Sequence, residues 1–497
     1  MTPQTQTISQ TTAATTDQEV AEARARLELA VTEMRYSDEG AARQMEQGLT
    51  AFLGSLVRSG RSDLDLGHVG VMINEIDERL ARQVGRIQHA PQLQAIEARW
   101  RELKQLVDAT DGQRGVQVEF LDVTKDELAL DFRNAPHLYK SSLYRMVHDK
   151  GTGAYGGVPY GLVCSSYEFD AGNRDVELLG HCARVAAEAH APFLANAGPG
   201  MFGCEDYAAL GQLKASMAQL FEGAQYQKFN GLRDREEARY VALCLPRVLL
   251  RAPYEAGDPA ASQFAYTEAS EGHHDRYLWG AASVALAGRA IHSFLEHGWC
   301  NRIVGPSGGG QIDNLPVHTS RTMVDGRKAP VEVALTMRSA TELADAGFVP
   351  LEVHQNADKA CFFSANSIKR TKTFGNSPEG RQKEANARLG GQLPYLMMVC
   401  RVGHYLKYMQ NERVGTLKSK ERLQDEMQTW LMQYVVDVDD PSERMLAERP
   451  LRKANVTVAD IEGQPGWYRF NVEINPHFVY VGADITLSLV SKLSKAT

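Results

Sequence analysis

Tyr160–Ser165 (YGLVCS), followed shortly by Val176–Ala191, is the stretch in which the fold class can be read. The first run is short and apolar, as a buried strand is, and the second repeats apolar residues at helical steps. The same pair recurs downstream, with Tyr240–Leu245 (YVALCL) as a strand and Tyr277–His297 as a long helix. Upstream, Val116–Val123 (VQVEFLDV) alternates like a strand and opens this section. Further strand-like runs lie at Val331–Met337, Val349–His354 and Ala360–Ser364, with helices at Glu384–Met409 and Ser419–Val435. Strands alternating with helices predict an α/β class. Helices at Ala41–Arg58, Val69–Ile87 and Gln92–Asp108 precede it. Strand material at Ala454–Ile461, Trp467–Ile474 and Phe478–Val490 ends the chain, so the class is a mixed α/β and α+β one.

At about 150 residues per domain, the 497 residues suggest three domains. Apolar residues make up 43% of the chain, ample for a core, and the formal charge is -8. That balance lacks the surplus of Lys and Arg that a general nucleic-acid binder needs to displace counterions. The apolar stretch Leu389–Cys400 is far short of the about 20 residues that a membrane span requires. Met1–Thr16 carries no charge and has no apolar signal core, so a flexible leader is expected there. Seven scattered cysteines without a C-x-x-C pair suit reduced thiols, and a soluble cytoplasmic protein is the expectation. From Asp17 the spacing of Val20, Leu27, Val31 and Met34 predicts one amphipathic helix, set apart by Arg35–Gly40.

Motifs of chemistry are missing. Gly305–Gln311 (GPSGGGQ) has Gln311 and Ile312 where a phosphate loop needs Lys and Ser or Thr, and it reads as a turn. Gly151–Gly161 precedes a strand, whereas a dinucleotide fingerprint follows one. The fourteen histidines show no H-E-x-x-H and no Cys/His quartet at zinc spacing, so neither metal nor cofactor is expected. This points to a structural or assembly role. Terminal segments can pair with neighbours, since a strand can add to another chain's sheet through main-chain hydrogen bonds.

Several blocks carry a family likeness. Phe229–Tyr254, His297–Thr319 (HGWCNRIVGPSGGGQIDNLPVHT), Ala385–Tyr408 (ANARLGGQLPYLMMVCRVGHYLKY) and Arg449–Leu493 resemble the large subunit of the type VI secretion contractile sheath. Ile73–Val107 and Pro159–Asp170 fit as well, and Ser307 departs where an acidic residue is expected. The resemblance implies phage tail sheath-like domains and a non-enzymatic role. It implies pairing with a small sheath subunit, copies of the pair in a helical polymer around an inner tube, and assembly on a baseplate. It also implies disassembly by an ATP-driven unfoldase acting at the N-terminal helix, with Val20, Leu27, Val31 and Met34 as its apolar face.

The resemblance further implies that a helix from the region of Ser419–Val435 touches the tube, which nominates Glu421, Asp425 and Glu426. The runs holding Phe478, Tyr480, Ile485, Leu487 and Leu489 form an expected terminal hairpin through Gly482–Asp484, with an edge open to a neighbour's strand. The expected division is 1–36 leader and arm helix, 37–112 helical region, 113–383 central α/β domain and 384–497 sheath-core domain. Two rival readings are a cytoplasmic enzyme built on scattered residues such as His181, Cys182 and Glu188, and a scaffold unrelated to secretion.

Overall fold

The computed structural model describes residues 66–112, 115–153, 156–211, 216–256, 258, 266–270, 274–319, 328–354, 357–372, 374–375, 377–413, 420–438, 440–460, 468–477 and 487–492, with Arg43, Gln47 and Gly48. Contacts divide the chain into Met1–Gln83 with Gln263–Ala265, and Val84–Ser262 with Tyr266–Thr497. In the first unit the main described element is the start of helix α1 (Leu66–Gln88). There Glu75 and Arg79, both exposed, pair one turn apart at 2.5 Å.

The second unit is built on a six-stranded sheet. Its strands are β1 (Val163–Phe169), β2 (Phe193–Ala197), β3 (Val241–Leu245), β4 (Gln311–Ile312), β5 (Val349–Val353) and β6 (Ala360–Phe362). The spatial order is β1-β2-β3-β5-β6-β4. The first four run parallel and β6 is antiparallel to both of its neighbours. Before the sheet comes helix α2 (Pro91–Ala109); α3 (Asn173–Ala189) crosses from β1 to β2, and α4 (Ala282–His297) covers the opposite face.

Alternation along the central strands shows why both faces are covered. Phe193, Ala195, Ala197, Val241, Leu243 and Leu245 join one core with Leu179, Cys182 and Ala186 of α3. Leu194, Ala242 and Cys244 join the other, with Leu286, Ala287 and Ala290 of α4. Successive side chains of a strand point to opposite faces, so a strand buried on both sides must be apolar throughout. YVALCL is such a run.

The N-terminus of α4 is inside the protein, where its free N–H groups cannot reach water. Ala281, at the cap position, has no side chain able to accept a hydrogen bond. The partners come from elsewhere in the fold. Glu102 of α2 accepts from the Ala281 N–H at 2.8 Å, and Asn196 of β2 accepts from the Ser283 N–H at 3.0 Å. The Asn196 amide also donates to the Ser283 hydroxyl at 3.0 Å, and that hydroxyl donates to the Ser165 carbonyl at 2.8 Å. Burial pushes the Glu102 carboxyl above its ordinary value, while Arg99 and the Ala281 N–H pull the other way. A carboxylate at a helix N-terminus faces the positive end of the helix dipole.

Four elements differ from the sequence reading. Val116–Val123 makes no ladder; Val116 and Val118 are half-buried and Gln117 and Glu119 exposed, so its alternation marks an extended chain lying on the body. Tyr277–His297 is helical only from Ala282, after the two-residue strand Trp279–Gly280 pairs with Val248–Leu249. Val331–Met337 is not a strand; Val331 makes one bridge to Val248, and Thr336 caps helix α5 (Met337–Asp345) by accepting from the Ser339 N–H. Glu384–Met409 is two helices, α6 (Pro378–Gly390) and α7 (Leu393–Arg413), because Gly391 ends the first and Pro394 suits the first turn of the next. Strand β2 (FLANA) had no counterpart in the sequence reading. The glycine run is a tight turn, in which Gly309 has φ +84° and a Cβ would stand 2.3 Å from the Arg302 carbonyl oxygen.

Asn196→Ala should strand the buried Ser283 N–H and lower stability by about 2 kcal/mol. A urea titration would read this as a lower midpoint at unchanged slope, and an unchanged midpoint would refute the capping role.

Candidate assembly interface

Beyond α7 come α8 (Lys420–Met432) and a separate antiparallel sheet of β7 (Leu451–Asp460), β8 (Tyr468–Pro476) and β9 (Leu487–Lys492), in that spatial order. Val456, Val458, Phe470, Val472 and Ile474 form a core with Met427 and Leu431 of α8 and Met398, Val402 and Leu406 of α7. Asn455, Thr457 and Ala459, between the core positions of β7, are exposed. A sheet covered on one face shows this alternation. Trp299 and Asn301 tie the turn after α4 to this region through the Glu448 and Ala447 carbonyls, each at 3.1 Å.

The two edges of this sheet differ. On the outer side of β7, Leu451 exchanges main-chain bonds with Tyr434 and Val436 at 3.1 and 2.8 Å. Farther along, the Gln428 side chain donates to the Ala454 carbonyl at 2.9 Å and accepts from the Val456 N–H at 2.7 Å. Gln424 accepts from the Val458 N–H at 3.2 Å. Strand β9 pairs with β8, and among the described residues no strand pairs with its other side.

The register sets Leu487 opposite Ile474 and Leu489 opposite Val472, both core-facing residues of β8. The partner of β9 is Arg469–Ile474, where the sequence reading had paired 485–490 with 478–481. The alternating Phe470, Val472 and Ile474 supply the apolar face that such a pairing needs. Phe478, Tyr480 and Ile485 lie outside the described residues, as do Val20, Leu27, Val31 and Met34. Glu421 and Asp425 are exposed on α8 and Glu426 is half-buried. From the sequence, Gln428 stands out only as a neighbour of Glu421 and Asp425, and Gln424 not at all. Their signal was two amides one turn apart, bordering the apolar positions Met427 and Leu431.

The carboxyl ends of parallel strands, where α/β proteins commonly hold ligands, carry an ion-pair cluster. Just beyond β3, Arg247 makes a two-pronged contact with Glu332, its Nη2 at 2.6 Å from Oε1, and His274 Nε2 is 2.6 Å from the same oxygen. Glu168 lies 3.8 Å from Arg247. Burial alone would raise the Glu332 carboxyl, but hydrogen bonds from Arg247 and His274 outweigh it and hold the group below the usual range. Among the described residues no His, Cys, Asp and Glu cluster could hold a metal ion, and no helix is long and apolar enough to cross a membrane. His181, Cys182 and Glu188 do not converge. His181 stacks on Phe132, Cys182 is buried with its thiol pushed up to about 12, and Glu188 is exposed.

Glu332→Gln should cost about 2 kcal/mol at neutral pH, less than a fully buried pair would because Arg247 is partly exposed. The folded carboxyl titrates below its unfolded value of about 4.3. Its contribution is therefore complete above that pH and lost as the pH falls through the folded value. Parent and variant should converge in acid, and Arg247→Met/Glu332→Leu should be closer to the parent than either single change. Denaturation curves at pH 7 and pH 3.5 test both statements.

Residues 71–369 match the family model for the EvpB/VC_A0108 tail sheath N-terminal domain, and residues 382–493 match that for its gpW/gp25-like domain. The chain is 34% identical over 431 residues to the type VI secretion system sheath protein TssC1 of Pseudomonas aeruginosa, a match covering 86% of each chain. Among solved structures it is similar to a chain of the anti-feeding prophage baseplate (13% identity, TM-score 0.34, 77% of this chain and 80% of that one). It is also similar to the contracted helical sheath of that prophage (14% identity, TM-score 0.27, 77% and 96%). The assignment rests on the two domain matches and the relative, which together span the chain from the helices before β1 to β9. The chain belongs to the EvpB/VC_A0108 tail sheath family and is a structural subunit of a contractile sheath of the type VI secretion kind.

Proposed function

We propose that the chain is the large subunit of a cytoplasmic sheath that pairs with a small sheath subunit and polymerises on a baseplate around an inner tube. Contraction of the polymer drives the tube out of the cell, and an ATP-driven unfoldase dismantles the spent form. The observation that carries this reading is the match to both tail sheath domains, in order, across residues 71–369 and 382–493. No catalytic step is needed. Contraction without nucleotide requires two packings of the same chains that differ in free energy.

Within this reading, residues 1–36 are an arm, 37–112 a helical region, 113–383 the central domain and 384–497 the sheath core. The run holding Phe478, Tyr480, Ile485, Leu487 and Leu489 links subunits, through a strand that a second copy adds at the edge of β9. Such main-chain bonds survive rigid-body rotation, so motion is absorbed in the arms. Glu421, Asp425 and Glu426 of α8 meet basic groups of the tube, in a contact weak and screened enough to release on firing. The helix with Val20, Leu27, Val31 and Met34 is the unfoldase's handle.

Co-expression with a small sheath subunit should give long hollow cylinders in negative-stain images. A stable monomer that never joins a second chain would overturn the proposal. Reversing Glu421, Asp425 and Glu426 to Lys should leave folding intact but prevent sheath from forming around tube; sheaths that assemble and secrete normally would remove these acids from the tube contact.

A further inference from the structure

We propose that Gln424 and Gln428 act as a decoy strand that closes the β7 edge, so that a strand from a second copy of the chain can join the C-terminal sheet only at β9. This rests on the strand-addition reading above and adds to it a residue-level reason for a single direction of growth. An edge strand presents alternate N–H and C=O groups outward and invites any extended chain to pair. Both edges of a three-stranded sheet carry that risk. Addition at both would let one sheet accept two donors, and the polymer would branch.

The chemistry at β7 answers that risk. A carboxamide has one carbonyl and one N–H₂, the same acceptor and donor as a peptide group. Gln428 uses both, giving a hydrogen to the Ala454 carbonyl at 2.9 Å and taking one from the Val456 N–H at 2.7 Å. A residue of a neighbouring strand would satisfy the same two groups. Gln424 repeats the acceptor half one turn back, at the Val458 N–H. The spacings agree: four helical residues rise about 6 Å, and two strand residues advance about 6.8 Å. Helix α8 runs opposite to β7, with 428 beside 454–456 and 424 beside 458, so the ladder stays in step. Met427 and Leu431, both buried in the core under the sheet, fix the helix at this distance.

Leu451 is occupied by Tyr434 and Val436, so outward groups are engaged at both ends of the stretch from Leu451 to Val458. Strand β9, by contrast, is paired by β8, and among the described residues no other strand lies beside it.

The test is hydrogen exchange on the full chain co-expressed with its small subunit, before and after assembly. It compares the parent with Gln424→Ala/Gln428→Ala and with Gln428→Met, which keeps side-chain length and packing and guards against a variant that fails to fold. In both variants the Val456 amide should exchange about tenfold faster than in the parent. The Val458 amide should do so in the double variant. The double variant should also form branched, thioflavin-positive aggregates beside regular sheath. Exchange at Val456 and Val458 and polymers indistinguishable from the parent would overturn the glutamine closure while leaving strand addition intact. Failure of the Leu487–Lys492 amides to gain protection on assembly of the parent would instead sink strand addition, and with it the single direction of growth.

Discussion

The main unit depends on a helix that begins where water cannot reach it. Four N–H groups at the start of any helix lack partners within that helix, and each one left bare in a protein interior costs about 1–3 kcal/mol. Because α4 lies across the strands from β1 to β3, its first turn cannot be turned outward. Asn196 and Glu102 resolve this from β2 and from α2, which makes the sheet, the covering helix and the helix outside it interdependent. Asn196 is a polar residue in a strand buried on both faces, so its four hydrogen-bonding contacts with Ser165, Tyr167 and Ser283 are a condition for β2 to lie there at all.

A second consequence concerns the carboxyl ends of the parallel strands. In many α/β proteins that rim is open to a ligand; here Arg247, Glu332, His274 and Glu168 occupy one another. An arginine that satisfies a buried carboxylate from two of its nitrogens has little left to offer a substrate. Charge neutralised within the chain suits a protein whose work is contact with other chains. The half-buried Cys164 and the buried Cys182 and Cys244 agree: burial raises their thiols, and a protonated thiol is a poor nucleophile.

The C-terminal sheet faces the opposite problem. It is covered on one side only, and its outer strands carry main-chain groups that seek partners. Side chains of α8 meet that need along β7, while β8 is the only strand that pairs with β9 among the described residues. The asymmetry is a property of tertiary packing, because the partners of the β7 edge, Gln424, Gln428, Tyr434 and Val436, all come from outside the sheet.

What the sequence determined was the family, the alternation of strand and helix, and many of the individual elements. YVALCL announced a strand buried on both faces, since no polar residue interrupts it, and the ordered blocks from Ile73 to Leu493 announced a sheath subunit. The helices from α1 to α4 and the strands β3, β5 and β6 follow from local periodicity, within a few residues. Tertiary structure decided the rest. Strand β2 was invisible because FLANA is short and holds an asparagine, and only its place between β1 and β3 makes it a strand. Val116–Val123 alternated yet found no partner, because alternation reports one covered side and says nothing of hydrogen bonds. Asn196, Glu102, Gln424 and Gln428 look like ordinary polar residues in the text of the chain. Their roles exist only because folding brings main-chain groups, distant in sequence, to within hydrogen-bonding reach of them, and no local pattern encodes such a meeting.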